Sequence, residues 1–197
     1  MLKLYHAPRS RSSRLIWLLE ELGVPYEIEV VSIRRGDGSG QLDPKDPHPH
    51  GKVPVVVHDA TTVFESSAIA LYLTDAFPDK GVGPRVGDKQ RGAYLTWLAY
   101  YSGVLEPAFL SRFMKIDVPR GTAGWVNADE AMAYVGDALA AGSFLLGERF
   151  SAADVLYGST FALFLGSEML PEQPVLRSYV TRCQARPAYA RAAAKDG

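Results

Sequence analysis

The sequence contains little cysteine, little net charge and no long apolar segment. Cys183 is the only cysteine among 197 residues, so no disulfide can form within the chain, as is usual in a reducing cytosol. No window of about 18 residues is apolar enough to cross a bilayer. The first residues, Met1 to Tyr5, show neither the charged segment nor the apolar stretch of a signal peptide. These absences predict a soluble, cytoplasmic protein without a membrane anchor.

Charge and histidine spacing argue against two further kinds of partner. Lys and Arg number 21 and Asp and Glu number 22, which gives a formal net charge of −1. This balance supplies no electrostatic attraction for nucleic acid or for an anionic membrane. The four histidines, His6, His48, His50 and His58, do not show the spacing of metal ligands. We expect them to be loop residues and predict no metal site.

The first part of the chain alternates strand and helix patterns. Leu2 to Tyr5 is a short β-prone run, and a helix begins at Ser12 or Ser13 and ends at Gly23, where a left-handed C-cap is expected. Tyr26 to Ile33 alternates charged and apolar residues, as a half-buried strand does. A strand, a helix and a strand at this spacing predict a parallel pair. Residues 34–51, with glycines and three X-Pro pairs, predict a mobile loop.

The stretch from Gly51 to Tyr72 combines an exposed strand edge with a helix start. Pro54 cannot donate to a sheet ladder, so it belongs at a strand's first residue or in a special turn, where a cis bond is one option. Either position leaves the backbone N–H and C=O of Val53 free to meet a ligand. After a hairpin, Glu65 and Ser66 open a helix whose unpaired N–H groups favour a carboxylate. The sequence therefore predicts an unpaired strand edge beside an anion site.

The rest of the chain has a helical pattern, and its length allows one large or two small domains. Residues 79–87 have the glycine and proline content of a linker. Helices are predicted over residues 88–113, with a bend at Gly103 or Pro107, over 124–141, from Ser151 onward and over 175–185. Ser151 and Asp154 have the spacing of a capping box. A basic, alanine-rich tail follows Pro187.

The order of the motifs resembles the glutathione-binding half of the cytosolic glutathione S-transferases, including bacterial members that use a serine. The resemblance implies that Val53 and Pro54 contact the cysteinyl backbone of glutathione and that Glu65 and Ser66 bind its γ-glutamyl amino and carboxylate groups. Lys52 would meet the glycine carboxylate, or else be an exposed lysine in a turn. Glutathione is then the co-substrate, and no metal is expected.

The same resemblance implies a fold and an assembly. It predicts an α/β thioredoxin-like domain over residues 1–78, a linker over 79–87 and an all-helical domain over 88–197 that contributes the electrophile pocket. Tyr100, Tyr101, Phe109 and Phe113 are candidates to line that pocket, although core packing or a dimer surface explains them equally well. A homodimer is expected, because members of the family pair one subunit's first domain with the partner's second.

Such an enzyme must form a thiolate at neutral pH, which requires lowering the thiol pKa by about two units, or roughly 2.7 kcal/mol. A directed hydroxyl, a helix N-terminus and a cation can supply this amount. The loop after the first strand offers Ser10, Arg11, Ser12 and Ser13. The resemblance to the serine-using classes places the catalytic hydroxyl at Ser10. Two alternatives stay open: Ser10 caps the helix, or Tyr5 is the thiol donor.

The predicted function is detoxifying conjugation of glutathione to small hydrophobic electrophiles. The absence of a cysteine from the loop argues against a mixed disulfide with a protein thiol. Glutathione-dependent reduction of disulfides or peroxides at the same site is one alternative, because it needs a thiolate and no electrophile pocket. A binding or assembly protein without turnover is another, although a scaffold has no need of the Glu65 and Ser66 pair.

Overall fold

The computed structural model describes residues 1–197 and begins with a four-stranded mixed sheet. Its elements are β1 (Leu2–His6), α1 (Ser13–Leu22), β2 (Glu27–Val30), β3 (Val55–His58), β4 (Thr61–Phe64) and α2 (Ser66–Ala76). The strand order is β2-β1-β3-β4, with β1 parallel to β2 and antiparallel to β3. No helix or strand occurs between β2 and β3, as the predicted loop requires. The thioredoxin-like arrangement and the parallel pair are confirmed.

Six helices and one π-helical segment follow the sheet. They are α3 (Arg91–Tyr100), the π segment (Tyr101–Leu105), α4 (Glu106–Met114), α5 (Ala128–Ala141), α6 (Ala152–Phe164), α7 (Pro174–Gln184) and α8 (Pro187–Ala193), after a short 3₁₀ turn at Pro78–Lys80. The predicted helical region is confirmed. No helix of the chain combines the length and the apolar character needed to cross a membrane.

One hydrophobic cluster joins the sheet to the helical region. Leu4 and Val56 lie opposite each other on neighbouring strands and face α1 and α2. Helix α6 packs against both of these helices, and its Gly158 leaves room for the thiol of Cys183 on α7. The stretch 79–87 is anchored as well, because the carbonyl of Val82 accepts a hydrogen bond from Ala152 at 2.8 Å. The division at residues 79–87 stays a prediction.

Local signals placed most helix ends correctly. Gly23 ends α1 in the left-handed region, with φ of 59°. The capping box at the start of α6 is formed, with the backbone N–H of Ser151 donating to Oδ2 of Asp154 at 2.8 Å. The helix predicted from residue 124 begins at Ala128 instead, because Asn127 caps it by accepting the Glu130 N–H at 2.9 Å.

Two elements of the helical region differ from their predictions. The long helix predicted over 88–113 is interrupted by the π segment, which contains Gly103, one of the two predicted bend positions. The tail after Pro187 forms α8, a helix that the sequence analysis left unassigned. It packs on α1 through the edge of Trp17 against Tyr189, with ring centroids 5.1 Å apart. Arg191 adds an ion pair to Glu20 at 2.8 Å.

Candidate active site

The sheet register brings three segments to one edge. Tyr5 lies opposite Val55, and Val55 lies opposite Phe64. The residues just beyond these positions are therefore neighbours: the loop after β1, Pro54 before β3, and Glu65 after β4. The Val53–Pro54 peptide bond is cis. This edge joins Val53, Pro54 and Glu65, three of the predicted site residues.

The backbone at this edge is available to a ligand. Neither the N–H nor the C=O of Val53 makes a hydrogen bond within the chain. Glu65 is exposed, and its carboxylate has no hydrogen bond or ion pair. Its φ of 71° lies in a region that costs a non-glycine residue energy and that recurs at functional sites. Glu65, with its strained backbone and unpaired carboxylate, therefore lies immediately before α2.

Ser66 and Lys52 complete the predicted set around this edge. Ser66 is the first residue of α2 and is 8% exposed, so its hydroxyl lies where the helix N–H groups are unpaired. Lys52 is exposed and forms no ion pair in the chain. The helix start and the lysine are two separate groups, each able to stabilise an anion.

A cavity of about 760 Å³ opens beside the loop after β1. Its wall is mostly apolar and comes from α1, α4, α6, the segment that follows α6, and α8. The principal apolar lining residues are Phe109, Leu110, Phe113, Leu163, Phe164 and Met169. Ser10 and Arg11 line its polar end, whereas Lys52, Val53, Pro54, Glu65 and Ser66 do not line it. The site therefore has two compartments. One is the sheet edge at Val53 and Glu65, and the other is the apolar cavity, which Ser10 borders.

The four aromatic candidates for the pocket wall separate in the structure. Phe109 and Phe113 line the cavity, and Phe113 is 68% exposed. Tyr100 and Tyr101 do not line it. Tyr101 is fully buried, and its hydroxyl lies 2.7 Å from that of Thr160. Core packing, the alternative named for these residues, therefore applies to Tyr101.

A polar network at the cavity connects the loop before α1 to α4. Arg11 pairs with Glu106 at 2.8 Å, and the hydroxyl of Tyr101 donates to Glu106 at 3.0 Å. Loss of solvation lowers the pKa of Arg11, but Glu106 and, more weakly, Tyr101 and Glu65 outweigh it, so the pKa lies above its usual value. Arg11 is therefore a permanent cation between the two compartments. Sequence reasoning missed Glu106 because no local motif marks it.

The hydroxyl of Ser10 is held within the loop by Ser12. The two Oγ atoms are 2.7 Å apart, and the Ser12 N–H donates to Oγ of Ser10 at 3.2 Å. Ser10 is half-buried and faces the cavity, whereas Tyr5 is half-buried in the sheet, lines no part of the cavity and has no hydrogen bond from its hydroxyl. Ser12 is the N-cap residue of α1, so Ser10 does not cap this helix directly. Its hydroxyl accepts a hydrogen bond only in the turn that precedes the helix.

His6 and Asp196 lie behind Ser12 and were not predicted as site residues. His6 is the last residue of β1 and is 1% exposed, so its prediction as a loop residue was wrong, as was that of His58 at the end of β3. Burial lowers the pKa of His6, although Asp196 acts in the opposite direction. The signal was present, because Leu2, Leu4 and His6 share one strand face. His48 and His50 lie in the loop, as predicted.

No group of three or more His, Cys, Asp or Glu side chains is arranged to hold a metal ion. The site instead offers a hydroxyl, an arginine and a helix start, which are groups that stabilise anions. Fold and site together define a thioredoxin-like protein with a helical region that forms the wall of its cavity.

Comparison with known proteins agrees with this class. A sequence model described as "Glutathione S-transferase, N-terminal domain" matches residues 9–76. Glutathione S-transferase 3 of Schizosaccharomyces pombe is 29% identical over 172 residues, covering 78% of this chain and 70% of the relative. Glutathione S-transferase GstA of Escherichia coli O157:H7 is 29% identical over 161 residues, covering 78% and 77%. The chain is therefore similar to glutathione S-transferases over most of its length, and its first part matches the N-terminal domain of that family; the comparisons support a glutathione transferase enzyme.

Solved structures agree over the whole chain. A glutathione transferase from Methylococcus capsulatus str. Bath superimposes with a TM-score of 0.79 at 29% identity, covering 100% of this chain and 99% of that one. A sphingomonad glutathione S-transferase complexed with glutathione gives a TM-score of 0.74 at 25% identity, covering 99% and 98%. The fold class predicted from the sequence is therefore confirmed.

Proposed function

We propose that this protein transfers glutathione to small hydrophobic electrophiles. The observation that carries the proposal is the position of Ser10, at the polar end of an apolar cavity of about 760 Å³ and on the loop that neighbours the unpaired edge at Val53. A thiolate held at this boundary would face an electrophile dissolved in the apolar compartment. Catalysis would follow from proximity and from stabilisation of the sulfur anion.

Each predicted residue receives a role in this proposal. The N–H and C=O of Val53, presented by the cis bond to Pro54, pair with the cysteinyl backbone. The Glu65 carboxylate binds the α-ammonium, and Ser66 with the α2 N-terminus binds the α-carboxylate. Lys52 binds the glycine carboxylate. Ser10 donates to the sulfur and does not itself attack, so it needs no base.

The cavity favours conjugation over the reductase alternative, because reduction of a disulfide or peroxide by glutathione needs no apolar compartment. The unpaired, strained Glu65 argues against a scaffold without a ligand. Retention on immobilised glutathione tests the scaffold, and turnover of an aryl halide against a hydroxyethyl disulfide separates the two enzymes. Retention with aryl halide turnover is the expected result.

Assembly, location and organisation are part of the same proposal. Phe64 and Leu95 are apolar side chains about 40% exposed, one on the sheet and one on the helical region. Such surfaces suit a homodimer that pairs the first domain of one subunit with the second domain of its partner. We propose that dimer, a cytoplasmic detoxification role, and domains at residues 1–78 and 88–197. Sedimentation equilibrium checks the dimer, and a monomer at micromolar concentration would contradict it.

Glu65→Gln is expected to raise the dissociation constant of glutathione about ten- to a hundredfold. The amide keeps the shape of the side chain but loses the charge that pairs with the α-ammonium, and a hydrogen bond to a charged group contributes about 1.5–3 kcal/mol. Titration calorimetry measures the change. Glu27→Gln, at an exposed strand position, is the matched control. Equal affinity of the native protein and Glu65→Gln would remove Glu65 from the site.

Phe113→Ala is expected to raise the KM for an aryl halide several-fold while the affinity for glutathione is unchanged. Phe113 lines the cavity and is separate from the edge at Val53. Loss of one aromatic wall residue removes roughly 1–2 kcal/mol of apolar contact. Met114→Ala, at the exposed end of α4 and outside the cavity, is the control. A change in glutathione affinity without a change in KM for the halide would place the electrophile elsewhere.

A further inference from the structure

A chain of hydrogen-bonding groups leads from the cavity surface to a buried imidazole. We propose that Ser10, Ser12 and His6 form a proton relay that carries the thiol proton of bound glutathione to His6, where Asp196 stabilises the resulting imidazolium. The inference rests on the proposed function, since it supplies the proton acceptor that formation of the thiolate requires. Ser12, His6 and Asp196 are positioning residues, because they act on the substrate only through Ser10.

The distances in this chain are those of continuous hydrogen bonding. Oγ of Ser10 is 2.7 Å from Oγ of Ser12, which is 2.8 Å from Nδ1 of His6. Nε2 of His6 is 3.3 Å from the carbonyl oxygen of Asp196 and 3.4 Å from its Oδ1. Ser12 is fully buried and His6 almost so, whereas Ser10 borders the cavity. The relay therefore has one end at the substrate and the other in the interior.

The partners of His6 determine where the protons are in the resting protein. Both groups facing Nε2, the Asp196 carbonyl and its ionised carboxylate, can only accept, so Nε2 carries the proton of the neutral ring. Nδ1 then has a free lone pair, and the Ser12 hydroxyl donates to it at 2.8 Å in preference to the Ala7 carbonyl at 3.3 Å. Because the hydroxyl proton of Ser12 is used in this way, the Ser10 hydroxyl donates to Ser12. Oγ of Ser10 is left to accept a hydrogen bond from a thiol.

Transfer of one proton along this chain reverses every hydrogen bond in it. The S–H bond of glutathione breaks and its proton moves to Oγ of Ser10. The former Ser10 proton moves to Ser12, and the former Ser12 proton moves to Nδ1. At the end Ser10 donates to the thiolate, Ser12 donates to Ser10, and the imidazolium donates to Ser12 and to Asp196. No group is oxidised or reduced, and the proton count is unchanged.

The remaining steps of the catalytic cycle also conserve atoms and protons. The thiolate attacks the electrophile, so a sulfur–carbon bond forms and the leaving group departs with the electron pair of its broken bond. The product thioether no longer needs a donor from Ser10. The Nδ1 proton then returns through Ser12 to Ser10, and the Ser10 proton passes to the leaving group or to solvent in the cavity that Ser10 borders. The neutral ring is restored for the next glutathione.

The surroundings of His6 suit a proton acceptor that is neutral at rest. Burial lowers its pKa below the ordinary value, whereas Asp196 raises it, and Asp196 is the one charged group that acts on it. The hydroxyl of Ser12, a neutral group, lies at the other ring nitrogen. Oδ1 of Asp196 is buried and has no hydrogen bond. Protonation of Nδ1 would make the ring beside this oxygen a cation, 3.4 Å away at Nε2.

Proton release on binding of glutathione tests the relay. Glutathione is added to the native protein near neutral pH in weak buffer, and thiolate is followed by its ultraviolet absorbance while an indicator dye reports released protons. The native protein is expected to release fewer than about half as many protons as it forms thiolates, since His6 retains them. His6→Gln is expected to release one proton for each thiolate and to hold about tenfold less thiolate, as loss of a charge-assisted hydrogen bond implies. His58→Gln, at the far end of β3, should behave as the native protein does.

Full release of one proton per thiolate by the native protein would overturn the relay, as would identical release by His6→Gln. If His6→Gln does not fold, the ¹⁵N signals of His6 in the native protein decide: an imidazolium signature on adding glutathione supports the relay, and a neutral ring opposes it. S-Methylglutathione, which has no thiol proton, should leave the ring neutral. Absence of binding by either tripeptide removes the proposed function together with the relay, whereas binding with full proton release removes the relay alone.

Discussion

Ser10→Ala is expected to lower kcat/KM for glutathione transfer roughly a hundredfold while the affinity for S-methylglutathione changes little. The hydroxyl donates to the sulfur only once the thiolate has formed, and a hydrogen bond to an anion contributes about 1.5–3 kcal/mol. About 1.4 kcal/mol corresponds to a factor of ten in rate. The pH profile should move as well, with the apparent thiol pKa rising by about one to two units.

Two variants make this result specific. Ser10→Thr keeps a hydroxyl at the same position and should recover much of the lost activity. Tyr5→Phe removes the rival hydroxyl, which lines no part of the cavity, and should leave kcat/KM within about threefold of the native value. The assignment is wrong if Tyr5→Phe shows the large loss and the raised thiol pKa while Ser10→Ala shows neither.

Asp154→Ala is expected to lower the free energy of unfolding by about 3–5 kcal/mol. The carboxylate is fully buried and accepts from the N–H groups of Leu145 and Ser151 at 2.9 and 2.8 Å and from the Tyr179 hydroxyl at 3.0 Å. The Ser151 hydroxyl donates as well, at 3.1 Å, so removing the carboxylate leaves four buried donors, and each unsatisfied donor costs about 1–3 kcal/mol. This exceeds the 1–2 kcal/mol expected for an ordinary helix cap, because the group also ties α6 to α7.

Urea-induced unfolding measures this loss of free energy, and the slope of that free energy against urea concentration should be the same for both proteins. Asp137→Ala removes an exposed aspartate of α5 and should stay within about 0.5 kcal/mol of the native protein. A loss below about 1 kcal/mol for Asp154→Ala would show that water or local rearrangement replaces the missing acceptor.

The stability difference between the native protein and Asp154→Ala should also depend on pH. Burial raises the pKa of Asp154 from the ordinary 3.8 to about 6, although its hydrogen bonds act in the opposite direction. Between these two values the folded protein holds a proton that the unfolded chain has lost, so the contribution of this group falls as the pH rises. The difference should be larger near pH 5 than near pH 8, and the opposite order would contradict the raised pKa.

Local sequence signals predicted the elements that depend on near neighbours. Gly23 ends α1, Asp154 reaches back three residues to Ser151, and Pro54 heads β3 beside an unpaired backbone. Each of these outcomes is set within about four residues, where turn, cap and strand chemistry act. For the long helix the sequence predicted only a bend, because glycine and proline mark a weak point in a helix without specifying a π turn.

The sequence by itself determined the alternation of strands and helices, the helix start at Glu65 and Ser66 and the presence of hydroxyls after β1, since short-range backbone chemistry specifies them. The tertiary structure decided which of these groups meet. The fold places the carbonyl oxygen of Asp196 3.3 Å from Nε2 of His6. Packing of α4 and α6 beside α1 forms the cavity that Ser10 borders. Contacts between residues so far apart depend on how the helices pack, and no local pattern of residues records that packing.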